Sequence, residues 1–492
     1  MMKEQEKKKT DTGYPDTAKH RYQKKRIAHW DKVAPYAENP DRPSAFYHQL
    51  LEKYYRFFVP PGLRVLEVGC GLGDLLASLK PSVGVGVDFS GEAIRIASIR
   101  HPNLTFVQAD AHEYDAGEPF DVIILSDLVN DLWDVQSVFE NLHTICHSRT
   151  RLVLNYYNNL WRLPLSVTKK LKLGGFVLEQ NWFSPHDVIN LLEISGFEVI
   201  KRVQAILLPL RIPLVSSFAN RILANIIPFS WFTLTNFIIA RPIPSLTHAV
   251  KSASPSVSIV IPARNEAGNI KNILNRVPDL GKNTEMIFVE GHSSDSTYDT
   301  IKQLIGEFPE RKCRLFRQPG KGKGDAVQLG FAKANGDILI ILDADLTVPP
   351  EDLPRFIDVL VSGKGEFING VRLVYPMEDR AMRFFNIVGN KFFSLAFSWL
   401  LGQPIKDTLC GTKALWGKDY ELIASNRDYF GNFDPFGDFD LLFGAAKLNL
   451  KISEIPIRYR DRTYGATNIS RWRHGFMLLK MVVFATRRIK FI

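Results

Sequence analysis

The stretches ILIILDADLTVPPEDL, residues 338–353, and RVLEVGCGLGD, residues 64–74, share one design. In each, a short aliphatic and β-branched run leads into a loop of small or acidic residues. Runs of four to six such residues suit a buried strand rather than a helix. In open parallel sheets, ligands sit beyond the carboxyl ends of the strands, so both loops fall where a site is expected.

Strand-like runs continue on either side of these stretches. VGVGVDF, LTFVQAD, FDVIILSD and RLVLNY follow Arg64, and VSIVIPA, MIFVEG, CRLFRQ and EFINGVR surround ILIILDAD. Helix-like intervals separate them, which is the pattern of a doubly wound sheet. The fold class expected is therefore α/β, with two doubly wound Rossmann-like domains in series. Between the two series, the prolines and serines of ARPIPSLTHAVKSASPS suit a linker. The expected division is a flexible charged tail over 1–28, a first domain over 29–242, a linker over 243–255 and a second domain over 256–492.

Size and composition agree with two domains. At 492 residues the chain exceeds the roughly 100–250 residues of a single domain. It is 45% hydrophobic and 23% charged, ordinary for a globular protein. The net charge of +10 favours anionic partners such as phosphorylated ligands or an anionic membrane surface. Nucleic acid is not expected, because no recognised nucleic-acid motif or aromatic-rich recognition sheet is present.

Cys70, Cys146, Cys313 and Cys410 have neither zinc-site spacing nor the density of a disulfide scaffold, which suits a reducing cytoplasm. The first residues lack the apolar core of a signal peptide. No run reaches the roughly 18–20 apolar residues of a membrane span. Two apolar segments, 205–240 and 392–401, are open to reading either as buried core or as interfacial amphipathic helices.

In the first half, Gly69, Gly71 and Gly73 let the backbone approach a ligand and take φ > 0. The spacing of these glycines departs from the dinucleotide fingerprint, whose third glycine comes three residues after the second. The segment VLEVGCGLGD resembles the signature of class I S-adenosylmethionine-dependent methyltransferases, over roughly 30–242. That resemblance assigns Glu67, Gly69, Gly71 and Gly73 to the methionyl part of the cofactor S-adenosylmethionine. Asp88 ends the second strand, where a carboxylate can accept ribose hydroxyls; a helix N-cap is the alternative. Asp110 matches the family's acid near the adenine amino group, with a turn aspartate as the alternative. Ser126 or Asp127 matches the position facing the methyl donor. Asp131, His143, Tyr156 and His186 could act as a base, but none has a distinctive context.

In the second half, Asp343 and Asp345 alternate at a strand's end, so both carboxylates are expected on the same side. Their repulsion calls for a cation, and oxygen ligands suit Mg²⁺ or Mn²⁺, which would neutralise a diphosphate leaving group. VSIVIPARNEAGNI, MIFVEGHSSDST, GKGKGDAVQLGF, DTLCGTKAL and FGDFDLL accompany the acids in chain order. This series resembles family 2 glycosyltransferases of the GT-A fold, nearest the dolichol-phosphate mannose synthase and polyprenyl-phosphate branch, over about 256–474.

The resemblance assigns the nucleotide sugar to Pro262, Ala263, Arg264, Asn265 and Glu266. Glu290 stands where the family commonly has an acid pair, and Ser293, Ser294 and Asp295 could equally be a helix cap. Lys321 and Lys323 form a glycine-flanked basic loop suited to phosphate. Asp438 and Asp440 match the acidic motif near the acceptor, and Arg462 and Ser470 the segment that engages acceptor phosphate.

The expected protein is thus a bifunctional enzyme. One half would transfer a sugar with inversion from a nucleotide-diphosphate donor to a glycan or lipid-phosphate acceptor. The other would methylate a related glycan or lipid intermediate. A silent S-adenosylmethionine-binding or regulatory first domain is the alternative. Its expected place is the cytoplasm, with peripheral contact at the inner face of the membrane.

Overall fold

The computed structural model describes residues 18–42, 44–170, 178–244, 254–372, 374, 384–427, 437–460, 462, 464 and 471–491. The chain forms two compact units that part between Pro242 and Ile243, with only Ile200–Val203 outside that division.

The first unit is built on seven strands: β1 Arg64–Val68, β2 Val83–Asp88, β3 Thr105–Gln108, β4 Phe120–Leu125, β5 Cys146–Tyr157, β6 Phe197–Ala205 and β7 Thr235–Pro242. They lie in the order β3-β2-β1-β4-β5-β7-β6. β1 to β5 pair in parallel, whereas β7 runs antiparallel to β5. The order reverses between β1 and β4, which opens a crevice at their carboxyl ends. Leu66 and Val68 share one face with Phe139, Leu142 and Leu192. On a second cluster, the rings of Tyr54, Tyr55 and Phe58 each stand 5.4 Å from that of Phe237.

Two expectations change here. The apolar segment 205–240 is not a set of helices throughout: Thr235–Pro242 is a fully buried strand. Arg241, inside that strand, is ion-paired to Glu198 at 2.5 Å, so the polar residue does not mark a loop. The solvated tail expected as far as residue 28 gives way by Ala18 to a helix spanning Ala18–Ala37. Tyr22, Arg26 and Trp30 recur every four residues and so share one helical face. Residues 1–17 lie outside the described residues.

The second unit has β8 Val257–Ala263, β9 Thr284–Glu290, β10 Lys312–Arg317, β11 Ile338–Ile341, β12 Phe367–Val371, β13 Lys413–Trp416 and β14 Ile452–Pro456. Their order is β10-β9-β8-β11-β13-β12-β14. β8 pairs in parallel with β9 and β11, and β13 is antiparallel to both its neighbours. Strand parity divides the core between two faces: Val260 and Ile341 point to one cluster, Ile259, Ile261 and Ile340 to the other. Both faces are therefore covered, as a largely parallel sheet requires.

The helix Phe384–Leu401 is two-sided, with Phe393, Phe397 and Leu400 buried while Phe392 and Leu395 are 56% and 63% exposed. Among the described residues, no helix is long and apolar enough to cross a membrane.

Candidate active sites

At the carboxyl end of β1 the backbone turns through Gly69, Gly71 and Gly73 at φ of +75°, +52° and +74°. This left-handed sequence is open to glycine at little cost and to other residues only with strain. Asp88 holds the loop from the neighbouring strand. Its Oδ2 accepts the Gly71 N–H at 2.9 Å, and its Oδ1 accepts the Ser90 N–H at 2.9 Å. The N-cap of the helix Gly91–Arg100 is Ser90, whose hydroxyl accepts from Ala93, so capping does not account for Asp88. Burial raises the Asp88 carboxyl from its ordinary value.

Glu67 lies beneath the loop instead of at its surface. It is 2% exposed, accepts the Leu76 N–H at 3.1 Å, and is pushed well above the usual carboxylate range by burial. Its shown contact is a brace between β1 and the helix after the loop.

A small cavity opens beside Gly69. Gly69, Asp88, Asp110, His112, Leu128 and Trp133 line it, and the helix Ala18–Ala37 closes it with Tyr22, Gln23, Arg26 and Ile27. Gln23 Nε2 donates to Asp110 Oδ2. Asp110 Oδ1 accepts the His112 N–H at 2.8 Å; burial acts to raise this carboxyl, but His112 outweighs it and the net shift is downward.

The helix is pinned by Arg26, 2.8 Å from Asp131, and by the Trp30 indole N–H, 2.9 Å from the same carboxylate. That engagement makes Asp131 an anchor. His143 packs on Phe197, and His143, Tyr156 and His186 are absent from the cavity lining.

Ser126 and Asp127 follow β4. Asp127 holds φ +54°, and its Oδ1 accepts from Tyr47 at 2.9 Å and Asn155 at 2.6 Å. Burial lifts its carboxyl to about 6. A non-glycine residue in this conformation costs about 1 kcal/mol or more and is characteristic of functional sites. Ser126 does not line the cavity. The helix Ala18–Ala37 is what sequence reasoning missed, and its four-residue spacing of Tyr22, Arg26 and Trp30 was the available signal.

In the second unit, β11 ends at Ile341, so Asp343 and Asp345 stand on the loop beyond it, not within the strand. Each engages a different cation. Lys323, the first residue of the helix Lys323–Lys333, places Nζ 2.6 Å from Asp343 Oδ1. Asp343 is half-buried, and desolvation would raise its carboxyl, but Lys323 prevails and lowers it. Asp345 Oδ1 accepts the Thr347 hydroxyl at 2.8 Å, while its Oδ2 lies 2.6 Å from Arg462. Lys321 is exposed on the preceding turn and has no such contact among those described.

The loop after β8 comes to the same place. Asn265, at φ +58°, accepts the Ser294 N–H at 2.8 Å and donates its own N–H to Ser293 at 3.0 Å. Glu266 is 6% exposed, bonded to Asn269 at 2.7 Å and 3.4 Å from Arg462, and burial raises it to about 7. Arg462 therefore joins the acids of the two loops. Pro262, one residue before the end of β8, is half-buried, and Arg264 is exposed.

Glu290 is 1% exposed and bound to Arg317 at 3.1 Å. The N–H of Ser293 and Arg317 together outweigh burial and lower its carboxyl. Asp295 accepts the Thr297 N–H at 3.0 Å at the start of the helix Thr297–Glu307, in keeping with the capping alternative.

Gly437, at φ +71°, precedes the helix Asp438–Lys447, and a Cβ there would lie 2.7 Å from Gly324 Cα. This contact brings the FGDFDLL motif beside Lys323. Asp440 is ion-paired to Arg427 at 2.7 Å, whereas the Asp438 side chain and Ser470 lie outside the described residues. The network of Arg372, Asp407 and Asn390 was not read from sequence. Arg372 forks onto Asp407 at 2.7 and 2.9 Å and Asn390 donates at 3.1 Å. Burial would raise Asp407, but the guanidinium holds it down at about 2.

Comparison with known proteins accords with these two sites. A model described as "Glycosyl transferase family 2" matches residues 258–415, and one described as "Methyltransferase domain" matches 24–202. The dolichol-phosphate mannosyltransferase of Pyrococcus furiosus is 35% identical over 246 residues, covering 48% of this chain and 67% of that protein. Glycosyltransferase AglJ of Haloferax volcanii is 27% identical, covering 45% and 68%. The undecaprenyl-phosphate 4-deoxy-4-formamido-L-arabinose transferase of Edwardsiella ictaluri is 26% identical, covering 45% and 64%. The chain thus spans about two thirds of the length of these relatives. It belongs to glycosyltransferase family 2 through its second unit, and its residues 24–202 form a methyltransferase domain.

Proposed function

We propose that the second unit transfers a sugar with inversion from a nucleotide-diphosphate donor to a polyprenyl phosphate or glycan acceptor. We propose also that the first unit moves a methyl group from S-adenosylmethionine to a related glycan or lipid intermediate, in the cytoplasm or at the inner face of its membrane. The observation that carries the sugar-transfer reading is the convergence of Asp343, Asp345, Lys323, Glu266 and Arg462 beyond the ends of β8 and β11.

Asp343 and Asp345 would hold Mg²⁺ or Mn²⁺ together with the donor. Such an ion, when bound, neutralises charge on the departing diphosphate. Among the described residues no group of three or more His, Cys, Asp or Glu side chains could hold a metal ion, so the two carboxylates would need substrate phosphate to complete the site. One or two carboxylates completed by substrate phosphate is how Mg²⁺ is usually held. Lys323 and Arg462 can exchange carboxylate for phosphate oxygens without leaving their places, since both are donors only. Glu266 and Asn265 lie where ribose or base would be received. A polyprenyl phosphate is already an anionic nucleophile, so Asp440 and Asp438 need position it and not deprotonate it.

For the first unit, Asp88 and Asp110 flank one cavity with the glycine loop, which supports retained cofactor binding. Asp127 matches the family position that faces the methyl donor, but Tyr47 and Asn155 hold its carboxylate and it does not line the cavity, so no base is assigned.

Hydrolysis of a panel of nucleotide sugars, with and without Mn²⁺, tests the sugar-transfer reading. Manganese-dependent turnover in the natural protein that disappears in Asp345→Ala supports it; equal turnover in both overturns it. Calorimetry with S-adenosylmethionine tests the other half, and absence of binding would turn that unit into a silent module.

A further inference from the structure

The segment between β6 and β7 and the segment after β5 leave the first sheet at the edge where the cofactor cavity opens. Tyr157, which ends β5, is in register with Thr235, which begins β7. The two segments are tied together: the Asn158 side chain donates to the carbonyls of Trp231 and Thr233, each at 2.9 Å. The Trp161 indole N–H donates to the Phe232 carbonyl at 2.9 Å. Asn220 bonds Leu208 twice at 2.7 Å, which closes the rest of the segment on itself.

This bonded structure presents apolar side chains outward. Leu214 is 88% exposed, Leu163 75% and Ile227 69%, and Trp231, Phe232 and Phe218 are more than half exposed. Soluble surfaces seldom gather such residues without a partner. Residues 158–170 and 206–234 contain no Asp or Glu, while Arg162, Arg211 and Arg221 are exposed among the apolar side chains. Aromatic and aliphatic residues interleaved with arginine, with no acid, match a bilayer interface carrying negative headgroups. A second copy of the chain is a poorer occupant, because two such faces would oppose like charges.

The surface also adjoins the methyl-acceptor side of the site. Arg211 donates to Gln49 at 2.7 Å and lies 5.5 Å from the Phe46 ring. The next residue, Tyr47, bonds Asp127 at 2.9 Å and Thr235 at 3.0 Å.

We infer that this face docks the methyltransferase unit on an anionic lipid bilayer, so that its methyl acceptor is a lipid-borne molecule presented from the headgroup layer. The docking stands on the surface alone; the acceptor class rests on the methyltransferase reading.

The test places an environment-sensitive fluorophore on Leu163→Cys in the full chain, with the natural protein labelled as background. Vesicles of phosphatidylglycerol should shift the emission to shorter wavelength, and vesicles of phosphatidylcholine alone should not. The same label on Ile99→Cys, an exposed site at the opposite end of the helix after β2, should be unmoved. The pair Leu163→Glu and Trp231→Glu together should lower partitioning of the label at Phe218→Cys about ten-fold.

An unshifted label at residue 163, even on a chain that sediments with vesicles through another surface, overturns the proposal. So does an equal response to neutral vesicles, or a shift that appears without vesicles as the chain self-associates. Calorimetry with S-adenosylmethionine on the same variants separates the readings: binding retained without docking sinks the docking alone, and docking without cofactor binding sinks the methyltransferase role alone.

Discussion

Arg462 stands 2.6 Å from Asp345 and 3.4 Å from Glu266, so one guanidinium ties the loop after β11 to the loop after β8. These three side chains come from positions 266, 345 and 462, and their meeting marks the proposed donor end of the sugar-transfer site. A planar fork can hold two oxygen partners at fixed angles, which an ammonium cannot. Arg462→Lys should therefore raise KM for the nucleotide sugar more than it lowers kcat. Asp345→Ala should lower kcat/KM on the order of a hundredfold to a thousandfold. Steady-state transfer assays across a manganese titration measure both, and full activity in Asp345→Ala at saturating metal would refute the assignment.

Arg26 and Asp131 form a nearly buried ion pair that pins the helix Ala18–Ala37 over the cavity beside Gly69. Arg26→Ala leaves Asp131 uncompensated and should destabilise the first unit by about 3 kcal/mol. Hydrogen exchange over residues 18–37 should rise sharply. Gln23→Ala should leave unfolding unchanged yet weaken S-adenosylmethionine binding, since Gln23 meets Asp110 at the cavity wall. Unaltered affinity in calorimetry would remove Gln23 from the site.

Asp88 is the acceptor that holds Gly71 in the loop at 2.9 Å. In Asp88→Ala that N–H loses its partner and the ribose loses an acceptor. Two lost hydrogen bonds correspond to about 2 kcal/mol, or roughly thirty-fold in affinity. A variant that binds the cofactor as tightly as the natural protein would show that the cavity serves another ligand.

Asp127 titrates near 3.8 when free, but burial lifts it to about 6 in the folded chain. Between those values the unfolded chain has lost the proton that the folded chain keeps, so stability falls as pH rises through this window. The cost is fully present above pH 6. Asp127→Asn removes it while keeping an acceptor for Tyr47 and Asn155, and Asn tolerates φ +54° well. The variant should exceed the natural protein by about 3 kcal/mol at pH 8 and lose most of that lead towards pH 4. Urea unfolding at several pH values reads this directly. Methyl transfer should fall in the same variant, a gain of stability against function.

Two glycines of the second unit should behave oppositely on substitution. A Cβ at Gly330 would lie 2.3 Å from Val260 Cγ1, between a helix and β8. Alanine there gains about 1 kcal/mol of helix propensity but overpacks the core by about 1–3 kcal/mol, so Gly330→Ala should lower stability. At Gly411 the new carbon would come 2.1 Å from both Asp343 Oδ2 and Lys323 Nζ, the ends of side chains that can move. Gly411→Ala should unfold almost as the natural protein does and yet lose donor turnover. Thermal melts and turnover assays on the pair discriminate the two effects.

Strand runs such as VGVGVDF and ILIILDAD were legible because a fully buried strand needs consecutive apolar residues, and that demand is local. β6, β7, β13 and β14 were not read, because their polar members, such as Arg241 and Lys413, find partners only after folding. The glycine loop and the DAD acids announce themselves by spacing, since a ligand's shape fixes the distance between neighbouring loop residues. By itself, the chain's order of residues determined two α/β domains and the chemical kinds of group at each site. Tertiary structure alone decided that Arg462 faces Asp345, that Glu67 lies beneath its loop, and that residues 18–37 close the cavity beside Gly69. Those are contacts between positions tens to hundreds of residues apart, and their geometry follows from packing, which local pattern does not encode.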